Sequence, residues 1–222
     1  MVERSERTRA YVSNKERIGE TAEAKKVLAN ERHSREVIYL KVMGSVEPLR
    51  NSYKYLTSNH CVELLEKKGF FTAPASTKYH GAYQGGLFDH SLAVTKALLK
   101  LTKDNNLKGS RPESPYIIGM FHDLCKIDNY LPNIDKDMYS DGEPTAYIYN
   151  TNTLLKGHGD KSVMMIAEHT TLTEEEIMCI RYHMGAFTDK EEWNLYTRAV
   201  EKYPNVLWTH QADMIAAHVE KI

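Results

Sequence analysis

The chain has 222 residues, of which 41% are hydrophobic and 27% are charged, and its formal net charge at pH 7 is −1. This length suits one substantial globular domain with a small appendage, and the composition is that of an ordinary globular protein. A net charge so close to zero provides no global attraction to nucleic acid or to an anionic membrane. No run reaches the roughly 18 apolar residues that a membrane span needs, and the N-terminus does not resemble a secretory signal. We therefore expect a cytoplasmic protein without membrane contact.

The three cysteines, Cys61, Cys125 and Cys179, form no close pair in the sequence. Cys125 and Cys179 fall within apolar helical patterns. Their context predicts small buried residues of a protein in a reducing compartment rather than a disulfide framework.

The first 45 residues are dense in charge and poor in large apolar side chains until the segment 37–40. Good helix formers fill the segments 20–26 and 29–40. We therefore predict a charged N-terminal helical arm over 1–45, exposed or loosely held, ahead of a domain over 46–222.

Two helices are predicted at the start of this domain. Helical periodicity runs from Pro48 to Leu65, and Gly69 suits the position that ends a helix. A loop without periodicity follows, and a second helix opens at Gly86. His90 lies on the apolar stripe of this second helix.

A central helix is predicted to follow Ser114-Pro115, a capping residue and a proline that suit the first turn of a helix. Its residues are apolar nearly all round, which is typical of a buried helix. The pattern extends through the pair His122-Asp123. A buried imidazole and a buried carboxylate are both costly unless something compensates them, and a divalent metal would satisfy both.

The segment 128–155 is the least helical part of the chain. Asp141-Gly142 is a hairpin-type turn signal, and 145–149 has the β-branched and aromatic content of a short strand. We predict a small hairpin-like insertion around 138–150.

Helical patterns return after this insertion. His158 lies directly before one predicted helix, and the next, over 174–185, begins with a capping box and carries His183. A final helix follows Pro204 and carries Asp213. Because helices dominate throughout, the predicted fold class is an all-α bundle.

Six residues of metal-ligand type are thus spread over the predicted helices and their ends: His90, His122, Asp123, His158, His183 and Asp213. Zinc, iron, manganese, cobalt and nickel all accept imidazole together with carboxylate. The first three with Asp213 could hold one ion, and Asp123 could bridge to a second ion at the remaining two histidines. Taken singly, a histidine on an apolar helical face is more often a satisfied core residue. His158, between two glycines, could be a turn or cap residue, and Asp213 could be a buried cap or a salt-bridge partner of a lysine. Spacing alone therefore leaves a structural role equally open.

The ordered set resembles the signature of the HD-domain phosphohydrolase superfamily, a His…His-Asp…Asp pattern on a helical bundle. His90, His122-Asp123 and Asp213 match this signature in order. Lys126 matches the lysine that often follows as His-Asp-x-x-Lys.

A longer segment, His80-Gly-Ala-Tyr83-Gln-Gly-Gly-Leu-Phe-Asp-His90, is similar to the HD domain of YhaM-type 3′–5′ exoribonucleases and of small bacterial and phage relatives. The resemblance covers roughly residues 46–220. It departs from the YhaM type at the N-terminus, because residues 1–45 are too short and too charged for a nucleic-acid-binding OB-fold.

The resemblance implies an HD-type metal-dependent phosphohydrolase that cleaves a phosphoester of a nucleotide or a short single-stranded nucleic acid with a metal-activated hydroxide. It implies the six ligands named above, one or two divalent transition-metal ions, and Asp123 and Lys126 as catalytic residues. Substrate-binding candidates are Lys126, Lys161, His80 and Tyr83. The alternative for Lys161 is an exposed lysine without a role in binding. The alternative for His80 and Tyr83 is a role in packing the loop. A mono- or triphosphate phosphohydrolase and a non-catalytic nucleotide-binding module also stay open, as do the metal's identity and the oligomeric state.

Overall fold

The computed structural model of the protein describes residues 22–47, 51–136, 138–140, 142–155 and 157–222. These residues form an all-α bundle with two small antiparallel strand pairs, in agreement with the predicted fold class. The helices are α1 (Ala22–Met43), α2 (Asn51–Leu56), α3 (Asn59–Lys68), α4 (Gly86–Asp104), α5 (Ser114–Phe121), α6 (Gly159–Ala167), α7 (Glu174–Arg181), α8 (Trp193–Lys202) and α9 (Asn205–Met214). The strands are β1 (Tyr130–Pro132), β2 (Tyr139–Ser140), β3 (Glu143–Pro144) and β4 (Tyr147–Tyr149).

The bundle is built around α4, which packs against α5 and α9, while α7 packs against α5, α6 and α9. Close-packed aromatic rings fill one end of the core, where the Phe70 and Phe71 centroids are 5.3 Å apart and Phe88 and Phe121 lie within 6.0 Å of Phe70. This packing brings the N-terminal part of α4 close to the C-terminal ends of α5, α7 and α9. None of the helices formed by the described residues is both long and apolar enough to cross a bilayer. The cytoplasmic location stays a prediction.

Several helix boundaries follow the local signals read from the sequence. Helix α5 begins at Ser114 with a proline in its first turn, but Ser114 is its first residue and not its predicted cap, because its hydroxyl donates to Glu176 Oε1 at 2.8 Å. Helix α7 begins with a reciprocal capping box, in which Glu176 N donates to Thr173 Oγ1 at 3.2 Å and Thr173 N donates to Glu176 Oε2 at 2.8 Å. Gly69 ends α3 with a φ of 94°, in the left-handed region that favours glycine.

Other boundaries differ from the prediction. The helix predicted over 48–65 is two helices, because Ser58 takes an extended conformation and caps α3 by accepting a hydrogen bond from Cys61 N; residues 48–50 lie outside the described part. Helix α5 ends at Phe121, and α7 ends at Arg181, four residues before its predicted end. The pair after Phe121 and the histidine at 183 therefore lie in tight turns and not within helices.

The segment predicted as an N-terminal arm is described from residue 22 onward. Its helix α1 is bound to the bundle along its C-terminal half, where Tyr39 is fully buried and donates a hydrogen bond to Leu56 O at 2.8 Å. The Arg35 guanidinium donates two hydrogen bonds of 3.0 Å to the Asp89 carboxylate in the first turn of α4. Residues 1–21 lie outside the described part, and the domain boundary at 45 stays a prediction.

The insertion is larger than the predicted hairpin at 138–150. Strands β2 and β3 form the predicted hairpin, but β4 pairs with β1, so the strand-bearing region begins at Tyr130. Tyr147 N also donates to Thr77 O at 3.2 Å, which ties β4 to the loop before α4. Asp141, in the predicted turn, lies outside the described residues.

The glycine-rich loop before α4 folds back closely on itself. A Cβ atom added to Gly86 would lie 2.0 Å from the carbonyl oxygen of Gly81, a backbone atom that cannot move aside. We expect Gly86→Ala to lower the free energy of unfolding by about 3 kcal/mol, measured by chemical denaturation. Gly109→Ala is the matched control, because its Cβ would meet nothing closer than 3.6 Å. Equal unfolding free energies for both variants would contradict this view of the loop.

Candidate metal centre

The structure brings the six predicted metal ligands together at one end of the bundle. They come from five places in the fold: the beginning of α4, the turn after α5, which supplies both His122 and Asp123, the residue before α6, the turn after α7, and the end of α9. Their side chains form overlapping groups that could hold a metal ion, namely His90, His122 and Asp213; His122, Asp123 and His183; and Asp123, Cys125 and His158. Residues up to 123 positions apart in the sequence thus share one polar pocket.

Asp123 lies at the middle of this pocket and is 2% exposed. Its Oδ2 atom is 3.4 Å from His122 Nε2 and 3.6 Å from His90 Nε2. Its Oδ1 atom is 2.7 Å from His158 Nε2 and 3.4 Å from His183 Nε2. The carboxylate therefore faces two histidines with each oxygen, which is the arrangement that a ligand shared by two ions requires.

Asp213 completes the half of the pocket that contains His90 and His122. Its Oδ1 atom is 3.0 Å from His90 Nε2 and 3.9 Å from His122 Nε2. Two donors that are each about 2.1 Å from the same ion are about 3.0–3.4 Å apart in octahedral or tetrahedral geometry. The 3.0 Å from Asp213 Oδ1 to His90 Nε2 and the 3.4 Å from Asp123 to His122 and to His183 lie in that range, whereas the 3.9 Å from Asp213 to His122 is longer and the 2.7 Å from Asp123 to His158 is shorter.

The orientation of three imidazoles is fixed by backbone carbonyl groups. His90 Nδ1 lies 2.9 Å from Ile222 O, His122 Nδ1 lies 2.9 Å from Gly119 O, and His183 Nδ1 lies 2.7 Å from Ile180 O. Since a carbonyl oxygen can only accept, each Nδ1 carries the proton and donates it.

The neutral form of each of these three rings must therefore present a lone pair at Nε2. All three Nε2 atoms are buried, and none has a hydrogen-bond partner among the described residues. Buried polar atoms without partners are costly, and here they face carboxylate oxygens that also carry lone pairs. A proton or a metal cation must lie between such groups. Histidines that bind metals show this same support of the second nitrogen.

The pKa shifts in the pocket show that burial and the neighbouring charges act in opposite directions. Burial opposes the charge of Asp123, but Lys126, His122 and His158 outweigh it and hold the pKa of this carboxyl well below its usual range. Burial likewise disfavours a charged His158, yet Asp123 raises the pKa of this imidazole to about 10. Burial lowers the pKa of His183. The pocket is thus built to hold positive charge beside Asp123.

Lys126 lies within this pocket, as its motif position suggested. Its Nζ atom is 2.6 Å from Asp123 Oδ2, and the side chain is 8% exposed. Burial disfavours the ammonium, but Asp123 and Tyr130 raise the pKa of Lys126 above its usual value. This lysine is charged and is held at the edge of the candidate site by a single carboxylate oxygen.

The other three substrate-binding candidates occupy different positions. The His80 ring is 4.8 Å from the His90 ring, and burial, then His90 and Lys126, lower its pKa to about 4. His80 therefore adjoins the cluster as a neutral side chain. Tyr83 is 45% exposed and donates a hydrogen bond of 3.2 Å to Asp89 Oδ2.

Lys161 is 2% exposed, so the alternative of an exposed lysine is wrong. Its ammonium contacts the Asp128 carboxylate and lies 2.9 Å from Asn129 Oδ1. These contacts fix the start of the insertion against α6. Lys161 therefore contacts the start of the insertion, and its hydrogen bonds do not reach the six candidate metal ligands.

Two further residues lie near the cluster, and the motif pattern in the sequence does not mark either of them. Cys125 was predicted only as a small core residue, and it is buried, but its Sγ atom also lies 3.8 Å from His158 Nδ1. Tyr130 is at the start of β1; burial and Asp123 raise its pKa, and the nearby Lys126 opposes them. Their closeness to Asp123 in sequence, at two and seven residues, is the signal that could have identified them.

A part of the chain matches a part of one known protein. Over 66 residues the chain is 38% identical to a dihydroneopterin 2′,3′-cyclic phosphate phosphodiesterase from Methanocaldococcus jannaschii. The matched part is 28% of this chain and 26% of that protein, so the match spans about a quarter of the relative's length. No family model matches the chain, and no solved structure matches it.

Proposed function

We propose that this protein is a metal-dependent phosphohydrolase of the HD type that cleaves a phosphoester, in the manner of a phosphodiesterase, in a nucleotide or a short single-stranded nucleic acid. The observation that carries the proposal is the buried pocket in which four imidazoles and two carboxylates converge while three Nε2 atoms have no hydrogen-bond partner among the described residues. The partial relative is named as a phosphodiesterase, which supports the same reaction class. The closer likeness to YhaM-type enzymes is part of this proposal.

The residues divide into two adjoining ligand sets. His90, His122, Asp123 and Asp213 would hold one divalent ion, and Asp123 would share a second with His158 and His183. Divalent ions bound in this way supply Lewis-acid stabilisation of a phosphoester and lower the pKa of a water ligand, which is the chemistry that hydrolysis at phosphorus needs.

Lys126 has a role that follows from its own position. Its ammonium is charged, nearly buried and already within 2.6 Å of the shared carboxylate, so a phosphoester at the pocket would meet a fixed positive charge. A donor fixed before the reaction stabilises developing negative charge on the phosphoryl oxygens without reorganisation cost. The neutral His80 would line the same opening.

A non-catalytic nucleotide-binding module is the competing function. Loss of one or more ligands is the expected sign of such a module, and here all six are present and lie together. We therefore favour the enzyme. Hydrolysis of mono- or triphosphates is the alternative within the enzyme class.

The test is metal analysis of anaerobically purified protein, followed by assays of the Mn²⁺- and Fe²⁺-loaded forms. The substrates are bis-p-nitrophenyl phosphate, nucleoside 2′,3′-cyclic phosphates, mononucleotides, nucleoside triphosphates, cyclic dinucleotides and short single-stranded RNA. Turnover of a diester that is lost on chelation and restored by metal is the expected result. Metal-loaded protein that hydrolyses none of these compounds would refute the proposal.

The two-ion arrangement makes a separate prediction for metal content. His158→Ala and His183→Ala should each weaken the second ion by at least about tenfold and lower the bound metal from two ions to one per chain, measured by plasma mass spectrometry at a fixed free-metal concentration. His33→Ala is the control, because the His33 side chain is 76% exposed and lies on α1. If the two variants keep the metal content and rate of the unaltered protein, the second ion is not held there.

A further inference from the structure

A groove of about 570 Å³ lies between α1 and the strand pair of the insertion. One wall is formed by α1, with Lys25 and Arg32, and the other by β1 and β4, with Tyr130 and Tyr147; the loop before α4 forms part of the floor with Pro74. The metal ligands do not line this groove. Its volume falls within the range of small-molecule sites, about 300–1,000 Å³.

The register of the strand pair gives the groove an aromatic wall. Tyr130 pairs with Tyr149, and Pro132 pairs with Tyr147. Because side chains alternate across a strand, these four residues share one face of the pair, while Leu131 and Ile148 share the other. The rings of Tyr130 and Tyr149 are 5.4 Å apart, and Tyr149 is 70% exposed. The insertion thus presents a row of rings and a proline on the face that lines the groove.

The inner end of this wall adjoins the metal centre. The 3₁₀ turn Leu124–Ile127 follows Asp123 directly, Lys126 lies in it, and Ile127 lines the groove. Tyr130, which also lines the groove, follows three residues after Ile127. The chain thus leads from the shared metal ligand to the aromatic wall within seven residues.

Backbone and side-chain contacts hold the insertion in this position. Asn150 N donates to Asn129 O at 2.8 Å, Asn150 Nδ2 donates to Asp128 O at 2.8 Å, and Lys161 lies 2.9 Å from Asn129 Oδ1. The wall is therefore fixed relative to α6 and the pocket before any ligand arrives. A fixed aromatic surface is suited to binding a flat ring, because little freedom is lost on binding.

We propose that this groove binds the aromatic heterocycle of the substrate, with the heterocycle against Tyr130 and Tyr147 while the phosphoester lies at the metal centre beside Lys126. The proposal rests on the phosphohydrolase function given above and defines its substrate class as phosphoesters that carry a nucleobase-like ring. Stacking on tyrosine tolerates different bases, because every base has a π-face. Tyr130 and Tyr147 are then specificity-determining residues, and the insertion is the element that carries the specificity.

The test compares ligands that differ in the ring and share the phosphate. Binding of adenosine 3′-monophosphate and of glycerol 3-phosphate to the Mn²⁺-loaded protein is measured by titration calorimetry, and hydrolysis of adenosine 2′,3′-cyclic phosphate is compared with that of glycerol 1,2-cyclic phosphate. Tyr147→Leu should raise the ratio of the Kd for adenosine 3′-monophosphate to the Kd for glycerol 3-phosphate by about tenfold. The ratio of kcat/KM for the adenosine cyclic phosphate to kcat/KM for the glycerol cyclic phosphate should fall by a similar factor. Tyr147→Phe, which keeps the ring, should restore both ratios.

The matched control is Tyr139→Leu, since Tyr139 is a 62% exposed tyrosine of the same insertion that does not line the groove. Its two ratios should equal those of the unaltered protein. Equal weakening of both ligands by Tyr147→Leu, no weakening of either, or no measurable binding of the adenosine ligand would overturn the proposal. If selective binding is found but no phosphoester is hydrolysed, the phosphohydrolase function fails and the groove assignment stands. If hydrolysis is found with unchanged ratios, the groove assignment fails alone.

Discussion

Asp123→Asn is expected to reduce phosphoester hydrolysis by on the order of 10³-fold and to remove bound metal. Asp123 is the residue whose two carboxylate oxygens face both pairs of histidines, His90 with His122 and His158 with His183. An amide keeps the shape but supplies only one oxygen and no charge, so it cannot serve both halves. Metal content by plasma mass spectrometry and kcat/KM on the best diester substrate are the two measurements.

Asp104→Asn provides the control for this change. The Asp104 side chain is 51% exposed at the end of α4, and its partner is Lys100. The control should retain both metal and activity, since nothing at the pocket changes. An Asp123→Asn protein that is folded by circular dichroism, holds its full metal content and remains active would show that the pocket is not the catalytic site.

Lys126→Met is expected to lower kcat by about 10²-fold while metal content stays unchanged. Methionine fills most of the space of the lysine stem but removes the charge that lies 2.6 Å from Asp123 Oδ2. The metal ligands themselves are untouched, so the loss should appear in the reaction and not in metal binding. This division between rate and metal content separates the predicted role of Lys126 from that of Asp123.

Lys100→Met is matched to this change, because Lys100 also pairs with an aspartate a few residues away in the chain but is 76% exposed. An exposed pair of this kind contributes little, so we expect the rate of the unaltered protein. Lys126→Met must also retain a cooperative thermal transition for the comparison to apply. If Lys126→Met loses metal in parallel with activity, then the lysine supports the ligand set and does not act on the substrate.

The local signals of the sequence determined much of the helical framework. The proline after Ser114, the capping box from Thr173 to Glu176 and the glycine at 69 act through the backbone groups nearest to them, so their effect is read without tertiary knowledge. Periodicity of 3.6 residues likewise gave the all-α class. The signals failed where no local breaker marks the end of a helix, at Phe121 and Arg181.

The order of ligand-type residues along the chain determined a set of metal-ligand candidates, whose roles stay a prediction. Their convergence was decided by the packing of α4 against α5 and α9 and by the two early helix ends. Those ends turn the backbone so that Gly119 O and Ile180 O accept from the Nδ1 atoms of His122 and His183. No spacing rule contains this information, because it depends on where distant helices meet.

By itself, then, the sequence determined which residue types are available and where most helices begin, since these depend on neighbours within a few positions. Only the tertiary structure decided that Lys161 is buried against Asp128, that β4 pairs with β1 rather than standing in an isolated hairpin, and that tyrosines of these two strands line a groove together with α1. The physical reason is the same in each case. Burial, strand register and the meeting of charges are properties of segments far apart in the chain, and their free energies are fixed only once the whole core has packed.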